Sequence, residues 1–391
     1  MKEIIICNYN QKRFIGLLEE EVLTEMYEQE DNNKSIEGNI YIGKVQNVIT
    51  GLQSAFVNIG ESKNAFIHVK DVLPKVDITK EEIKNVPNIN KLIRPGDPII
   101  VEVKKEAVDK KGPRLSTHIT LTSRLVVYMP NSSFITVSQK IEDKKERDRL
   151  IKIVKKYIPE GTGAIIRTSS YGKSEEEIKK DILYITKKWE SIKKINVESV
   201  PKLIYDKGGI IRKTIIDLAD SGLDKIVIED EKDYDMTKTI LNELDIDIKI
   251  EIDEEILEKY NLRRQIKATS YKKVLLESGA FINIDKTEAL VAIDVNSGKY
   301  IGKKDVEETI TAVNLEAVHE IAKQIRLRDI SGIIVIDFID MHKDEDKKLI
   351  ISEMKKAIKN DRSKVQIEDF TKLNLMEITR KHINSKKFDS E

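Results

Sequence analysis

Two aspartates, Asp294 and Asp337, each stand at the end of an apolar run, Ala289-Leu290-Val291-Ala292-Ile293 and Gly332-Ile333-Ile334-Val335-Ile336. Two carboxylates brought together are hard oxygen ligands that suit Mg²⁺, an ion that takes one or two carboxylates and keeps waters for a substrate phosphate. Such an ion activates a water and stabilises the charge that develops during phosphodiester cleavage. Asn296 follows Asp294 by two residues, so in an extended segment its side chain points the same way and can orient a carboxylate or a water. A single aspartate after a strand is more often a helix or turn cap. Two matched instances shift that balance. His319 and His342 lack HExxH or similar spacing and read as structural or surface residues.

The runs that carry the aspartates suit strands buried on both faces. Between them Val306, Ile310, Val313, Ala317, Ile321 and Ile325 recur at helical spacing, so the whole reads as strand, helix, strand. A right-handed crossover makes the strands parallel and puts both aspartates at one carboxyl edge, where open α/β sheets bind ligands.

A second constellation lies earlier in the chain. In Ser54-Ala55-Phe56-Val57-Asn58-Ile59, alternation sends Ala55, Val57 and Ile59 to one face and Ser54, Phe56 and Asn58 to the other. The next strand repeats this, with Ala65, Ile67 and Val69 inward and Phe66 beside His68 and Lys70. Outward aromatics flanked by bases suit single-stranded nucleic acid, because bases stack on rings while phosphates find the charges. Lys104, Lys105, Lys110, Lys111 and Arg114 add positive charge nearby. The bland alternative is that both phenylalanines fill a second core. A third constellation is weaker. Arg167 and Thr168 leave the strand Ala164-Ile165-Ile166 and enter a loop before a helix whose Ser174 and Glu177 have capping-box spacing. An arginine fork, hydroxyls and a helix start can hold a terminal phosphate, although an ordinary surface arginine beside a capped helix explains the same residues.

These elements sit in a chain of 391 residues, enough for about two to four domains. Hydrophobic residues at 40% are too many for a disordered polyelectrolyte despite 35% charged residues. Lys plus Arg (68) equals Asp plus Glu (68), so an RNA-binding surface has to be a local patch. The lone Cys7 has no partner for a disulfide or thiolate zinc site, which fits a reducing cytosol. The opening MKEIIICNYN is too short in apolar residues for a signal peptide, and no run reaches a membrane span of roughly 20 residues. A cytoplasmic protein without a membrane partner is expected. Short strands with Gly and Pro punctuation at 36–122 predict an all-β barrel, interrupted by a charged surface excursion at 74–98, after a polar linker at 29–34. Mixed α/β patterns follow, so the fold class is α/β plus all-β with several subdomains.

ALVAIDVNSG at 289–298, RLRDISGIIVIDFIDM at 326–341 and TKLNLMEITRK at 371–381 resemble the signature of the ribonuclease E/G family, and the likeness spans nearly the whole chain. The resemblance implies Mg²⁺ on Asp294 and Asp337, with Asn296 assisting, in a DNase I-like catalytic subdomain at 271–391. It implies an OB-fold of ribosomal-protein type at 36–122, where Phe56, Phe66 and Lys111 contact RNA near the cleavage site and His68 shares their face. It implies a 5′-monophosphate sensor at 123–201, carried by Arg167 and Thr168, and a discontinuous RNase H-like subdomain from 1–35 and 202–270. Where the family has a Cys-Pro-x-Cys segment, this chain reads HINSKKFDSE at 382–391, so a zinc link is not expected and the chain forms either a homodimer through other surfaces or a monomer. The family's basic pair after the strand near Val137 is here Gln139-Lys140, which weakens the expected sensing of the RNA end.

The reading that follows is a Mg²⁺-dependent endoribonuclease that cuts single-stranded, A/U-rich RNA, favours 5′-monophosphorylated ends, and works on ribosomal precursors and messengers. The competing reading from another class is a non-catalytic RNA-binding or ribosome-assembly factor, and the intact aspartates argue against it. A DNA nuclease is disfavoured by the family likeness alone, since stacking faces tolerate either polymer.

Overall fold

The computed structural model describes residues 1–30, 35–72, 87–107, 111–195, 200–219, 222–298, 306–359 and 361–381. Lys110, the zinc-link position at 382–391, residues 31–34 of the expected linker and most of the 74–98 excursion lie outside them. The chain divides into two compact units, residues 1–29, 224–234 and 249–391, and residues 30–223 and 235–248.

In the second unit, strands Ile40–Ile49, Ser54–Asn58, Ala65–His68, Arg114–Ser116 and Pro98–Lys105 close into a five-stranded barrel, because the last pairs back onto the first. Ala55, Val57, Ala65, Ile67, Val101, Val103 and Leu115 fill it, all fully buried, as the alternation of small and branched residues requires. Gly43 makes one of the tight contacts: a Cβ there would meet a Val57 methyl at 2.5 Å. Strand Lys202–Tyr205 was expected with the RNase H-like part. It instead pairs antiparallel with Ile40–Ile49, with Leu203 opposite Tyr41, and joins the barrel sheet. A smaller four-stranded sheet in this unit, from strands Leu121–Thr122, Val126–Met129, Ile135–Val137 and Gly163–Ile166, packs on helices Lys144–Tyr157 and Glu175–Lys193. The second helix starts at Ser174, which accepts from Glu177 N–H while Glu177 accepts from Ser174 N–H. The capping box read from the spacing is present.

The first unit holds two sheets. In one, strand Lys2–Tyr9 pairs antiparallel with Lys12–Glu19 and parallel with Lys225–Ile228, which pairs in turn with Lys249–Ile252. Ile4, Ile5 and Ile6 are all fully buried, so this apolar run is covered on both faces. Burial of Cys7 beside them pushes its thiol up to about 12, which makes it an inert core residue.

The other sheet carries the aspartates. Its elements are β1 (Lys273–Leu275), β2 (Phe281–Lys286), β3 (Leu290–Asn296), α1 (Val306–Leu327), β4 (Gly332–Asp337), α2 (Asp344–Ala357), β5 (Val365–Phe370) and β6 (Leu375–Arg380). The spatial order is β1-β2-β3-β4-β6-β5, with β3 and β4 parallel as the strand-helix-strand pattern predicted. Val291, Ile293, Val295, Ile334 and Ile336 form a core with Val313, Ala317, Ile321 and Ile325 of α1 and with Ile350 and Met354 of α2. The expectation of two-sided burial fails here. Both helices contribute to the core on one face, while Ala292, Asp294, Ile333 and Asp337 on the alternate positions are exposed. An Ile-to-Ala change on the covered face would cost about 2–5 kcal/mol, which fixes the register and so keeps the aspartates outward.

Candidate active site on the open sheet face

Asp294 and Asp337 are direct register partners on the neighbouring parallel strands β3 and β4. Side chains at paired positions leave the sheet on the same side, with strands about 4.8 Å apart, so the two carboxylates stand side by side. Both are exposed. Among the described residues neither has a lysine or arginine partner. Asn296 donates from Nδ2 to Asp294 Oδ2 at 2.6 Å, which gives the sequence-based role a geometry: the amide fixes one oxygen of the carboxylate and leaves the other outward.

The electrostatics show the strain of this arrangement. Partial burial raises the Asp337 carboxyl above the ordinary aspartate value, and the neighbouring charges of Asp294 and then Asp340 raise it further. Like charges held together without a counter-ion are what a cation site looks like before the cation binds. Two carboxylates, an amide and open solvent fit a hard divalent ion that retains waters. No cluster of three or more His, Cys, Asp or Glu with metal-site geometry is present among the described residues, so such an ion would rest on this pair.

Sequence reasoning passed over two residues near the pair. Asp340 follows Asp337 by three residues in IDFIDM, a spacing that was visible but had no assigned role. Asn314 is fully buried on α1, where it donates to the Ile339 carbonyl (2.8 Å) and accepts from Ile339 N–H (3.1 Å). It clamps both backbone groups of the loop that leads from Asp337 to Asp340. A polar residue beside Val313 and Ala317 in an apolar stripe was the available signal. His319 and His342, read from the sequence as structural or surface residues, are both exposed.

On the barrel, Phe56 and Phe66 are register partners, both half-buried, with ring centroids 6.1 Å apart at 66°. They form an edge-to-face pair on the outer face, and the barrel core lies on the other. His68 is paired with Ser54 on the same strands, and its Nδ1 accepts from Lys70 N–H, so Nε2 is the nitrogen left to a ligand. Arg114, the parallel partner of Phe66, holds Asp71 through Nη2 at 2.8 Å. Lys111 is exposed at the rim. Beside it Gly112 lies so close to the Asn64 carbonyl that a Cβ would meet the oxygen at 2.0 Å, which ties the lysine's loop to the start of the Phe66 strand.

Arg167 and Thr168 are adjacent in a loop, yet the arginine is engaged. Its Nη1 donates to the carbonyls of Ser123 (2.9 Å), Arg124 (3.2 Å) and Ile216 (3.3 Å), and its Nη2 is bound to Asp217. Thr168 is exposed, and its hydroxyl shares a 2.9 Å hydrogen bond with Ser138. The helix start expected to help bind a phosphate carries Glu175, Glu176 and Glu177 in its first turn, with Glu177 closing the cap. That end of the helix offers nothing to an anion.

A pair of carboxylates at the ends of parallel strands and a barrel with outward aromatics are chemistry suited to a nuclease that acts on RNA, and the family is shown by the sequence comparisons. Residues 120–383 match the Ribonuclease E/G family, and residues 34–118 match the S1 RNA binding domain. The chain is 35% identical to Ribonuclease G of Salmonella typhimurium over 371 residues, covering 92% of this chain and 76% of that protein. It is 36% identical to Ribonuclease G of Haemophilus influenzae over 377 residues (94% and 77%), and 31% identical to Ribonuclease E of Escherichia coli over 393 residues (98% and 37%). The chain therefore belongs to the ribonuclease E/G family, a family of endoribonucleases. Among the described residues no helix is long and apolar enough to cross a membrane.

Proposed function

We propose that this chain hydrolyses phosphodiester bonds in single-stranded, A/U-rich RNA with Mg²⁺ held by Asp294 and Asp337, prefers 5′-monophosphorylated ends, and serves ribosomal RNA processing and messenger decay in the cytoplasm. The observation that carries the reading is the in-register pair Asp294 and Asp337, exposed and without a cationic partner among the described residues. A divalent cation held by this pair would make a bound water more acidic and would supply positive charge for the transition state. The protein's part is to hold two carboxylates together, to keep Asp294 oriented through Asn296, and to hold the Asp340 loop through Asn314. Phe56, Phe66, His68 and Lys111 serve as the stacking and phosphate-contacting surface of the S1 barrel. Arg167 and Thr168 are the candidates for reading the 5′ end. The catalytic sheet is read as DNase I-like, and the sheet of residues 2–30 with 225–228 and 249–252 as RNase H-like.

The test uses a 5′-monophosphorylated, A/U-rich oligonucleotide and the full chain. Cleavage is expected with Mg²⁺, none with EDTA, and none by Asp294→Asn or Asp337→Asn while RNA affinity persists. Undiminished turnover by either variant would remove the assignment.

A further inference from the structure

The row of residues that crosses the open sheet at the level of the aspartates is not acidic throughout. Register pairs run Lys273 on β1, Asn283 on β2, Asp294 on β3, Asp337 on β4 and Leu375 on β6, all on one face. β1 lies two strands, about 10 Å, from β3, but the lysine does not point straight out. Its Nζ sits 3.6 Å from the centroid of the Phe281 ring, and Phe281 is the register partner of Asn296. The ammonium is thereby held over a ring on β2, the strand next to β3, at the level of Asn296, two residues beyond Asp294. A cation over an aromatic face is attracted by the ring's quadrupole, which restrains a long side chain that would otherwise sample solvent.

The surroundings make this lysine distinctive. Glu377 is exposed at an alternate position of the same face and adds to the negative charge of Asp294 and Asp337. The neighbouring Lys272 is neutralised, with Nζ 2.6 Å from Asp285. Lys273 has no carboxylate partner among the described residues, and the Asn283 side chain between it and Asp294 has no hydrogen bond among them.

We propose that Lys273, braced by Phe281 and assisted by the Asn283 amide, is a positioning site for the RNA phosphate next to the scissile one. It sets the direction in which the strand leaves the aspartate pair, toward β1 and away from Glu377. This rests on the reading of Asp294 and Asp337 as the cleavage site.

The experiment measures two quantities on the full chain with the same oligonucleotide: the salt dependence of its affinity in EDTA, and steady-state cleavage in Mg²⁺. Lys273→Gln is expected to lower the slope of log affinity against log salt by about 0.7, the value for one phosphate contact on a single strand. Its KM should rise roughly fivefold, the scale of one exposed ion pair, with kcat within about twofold. Lys273→Arg should restore both values. Asn283→Ala should raise KM without changing the slope, because an amide releases no counter-ion. Lys272→Gln should match the parent protein. A parental slope and KM in Lys273→Gln would overturn the proposal. If Asp294→Asn is inactive in that same series, the cleavage site stands and the phosphate site alone falls; if Asp294→Asn still cleaves, the site itself is wrong and the proposal falls with it.

Discussion

Strand β4 has a pair of aspartates at each end, and the two pairs have opposite surroundings. At its carboxyl end Asp337 meets Asp294 in the open, with no cation partner among the described residues. At its start Gly332 is paired with Arg380, whose wholly buried guanidinium binds Asp329 Oδ1 at 2.6 Å, Asp361 Oδ2 at 2.8 Å and the Ile330 carbonyl at 3.0 Å. Burial works against the charge on Arg380, and the Asp361 and Asp329 carboxylates more than offset it, so its pKa is raised. One end spends its acids on the fold. The other keeps acids that cost stability, which is the mark of a ligand site.

The largest effect that can break this contrast comes from Asp337→Asn. Cleavage should fall by on the order of 10³-fold or more if a ligand to the essential cation is lost. Stability should move the other way. A carboxyl whose folded pKa is raised destabilises the fold once pH exceeds that pKa, and has no effect below its unfolded value, about 3.9. The variant should therefore melt higher than the parent at neutral pH, and the difference should vanish in acid. A lower melting temperature at pH 7 would show that Asp337 is structural, as Asp329 is.

Arg380→Met tests the other end. It leaves Asp329 and Asp361 buried without their counter-charge, and should cost about 3–5 kcal/mol in chemical denaturation. Turnover per folded molecule should be retained. A loss of turnover without a loss of stability would mean that the buried cluster and the open pair are not the separate devices described above.

Arg167 falls between these extremes, being half-buried and bound to Asp217 and three carbonyls. Arg167→Gln should cost about 1–3 kcal/mol through the acceptors left unpaired. If the same arginine reads the RNA end, the cleavage ratio between 5′-monophosphorylated and 5′-hydroxyl substrates should fall toward one, and Thr168→Val should lower that ratio with little change in stability. A ratio unmoved in both variants would put Arg167 in the class of Arg380, a clasp and nothing more.

What the sequence disclosed follows from which interactions are local. Alternation in Ala55, Val57 and Ile59 is written in consecutive residues, and so the barrel and its outward phenylalanines were legible. The strand-helix-strand pattern around Asp294 and Asp337 was legible for the same reason. The one-sided covering of β3 and β4 was hidden because the exposed positions Ala292 and Ile333 are themselves apolar, which erases the alternation. The pairing of Leu203 with Tyr41 joins residues far apart in sequence, and no local period encodes it. Arg167 looked like a free fork because its carbonyl partners Ser123, Arg124 and Ile216 are backbone groups, which any sequence has.

The smallest effect bears on the open pair alone, through Asp340. Its charge is the third cause of the raised Asp337 carboxyl, after burial and Asp294. In metal-free protein, Asp340→Asn should therefore lower the Asp337 titration midpoint without returning it to the ordinary value, a shift readable by NMR of the carboxyl carbon. The order of causes makes the result diagnostic: Asp294→Asn should lower it further than Asp340→Asn does. Equal shifts would mean that the loop held by Asn314 brings Asp340 as close to Asp337 as its strand partner is, and the site would then be a cluster of three carboxylates instead of a pair.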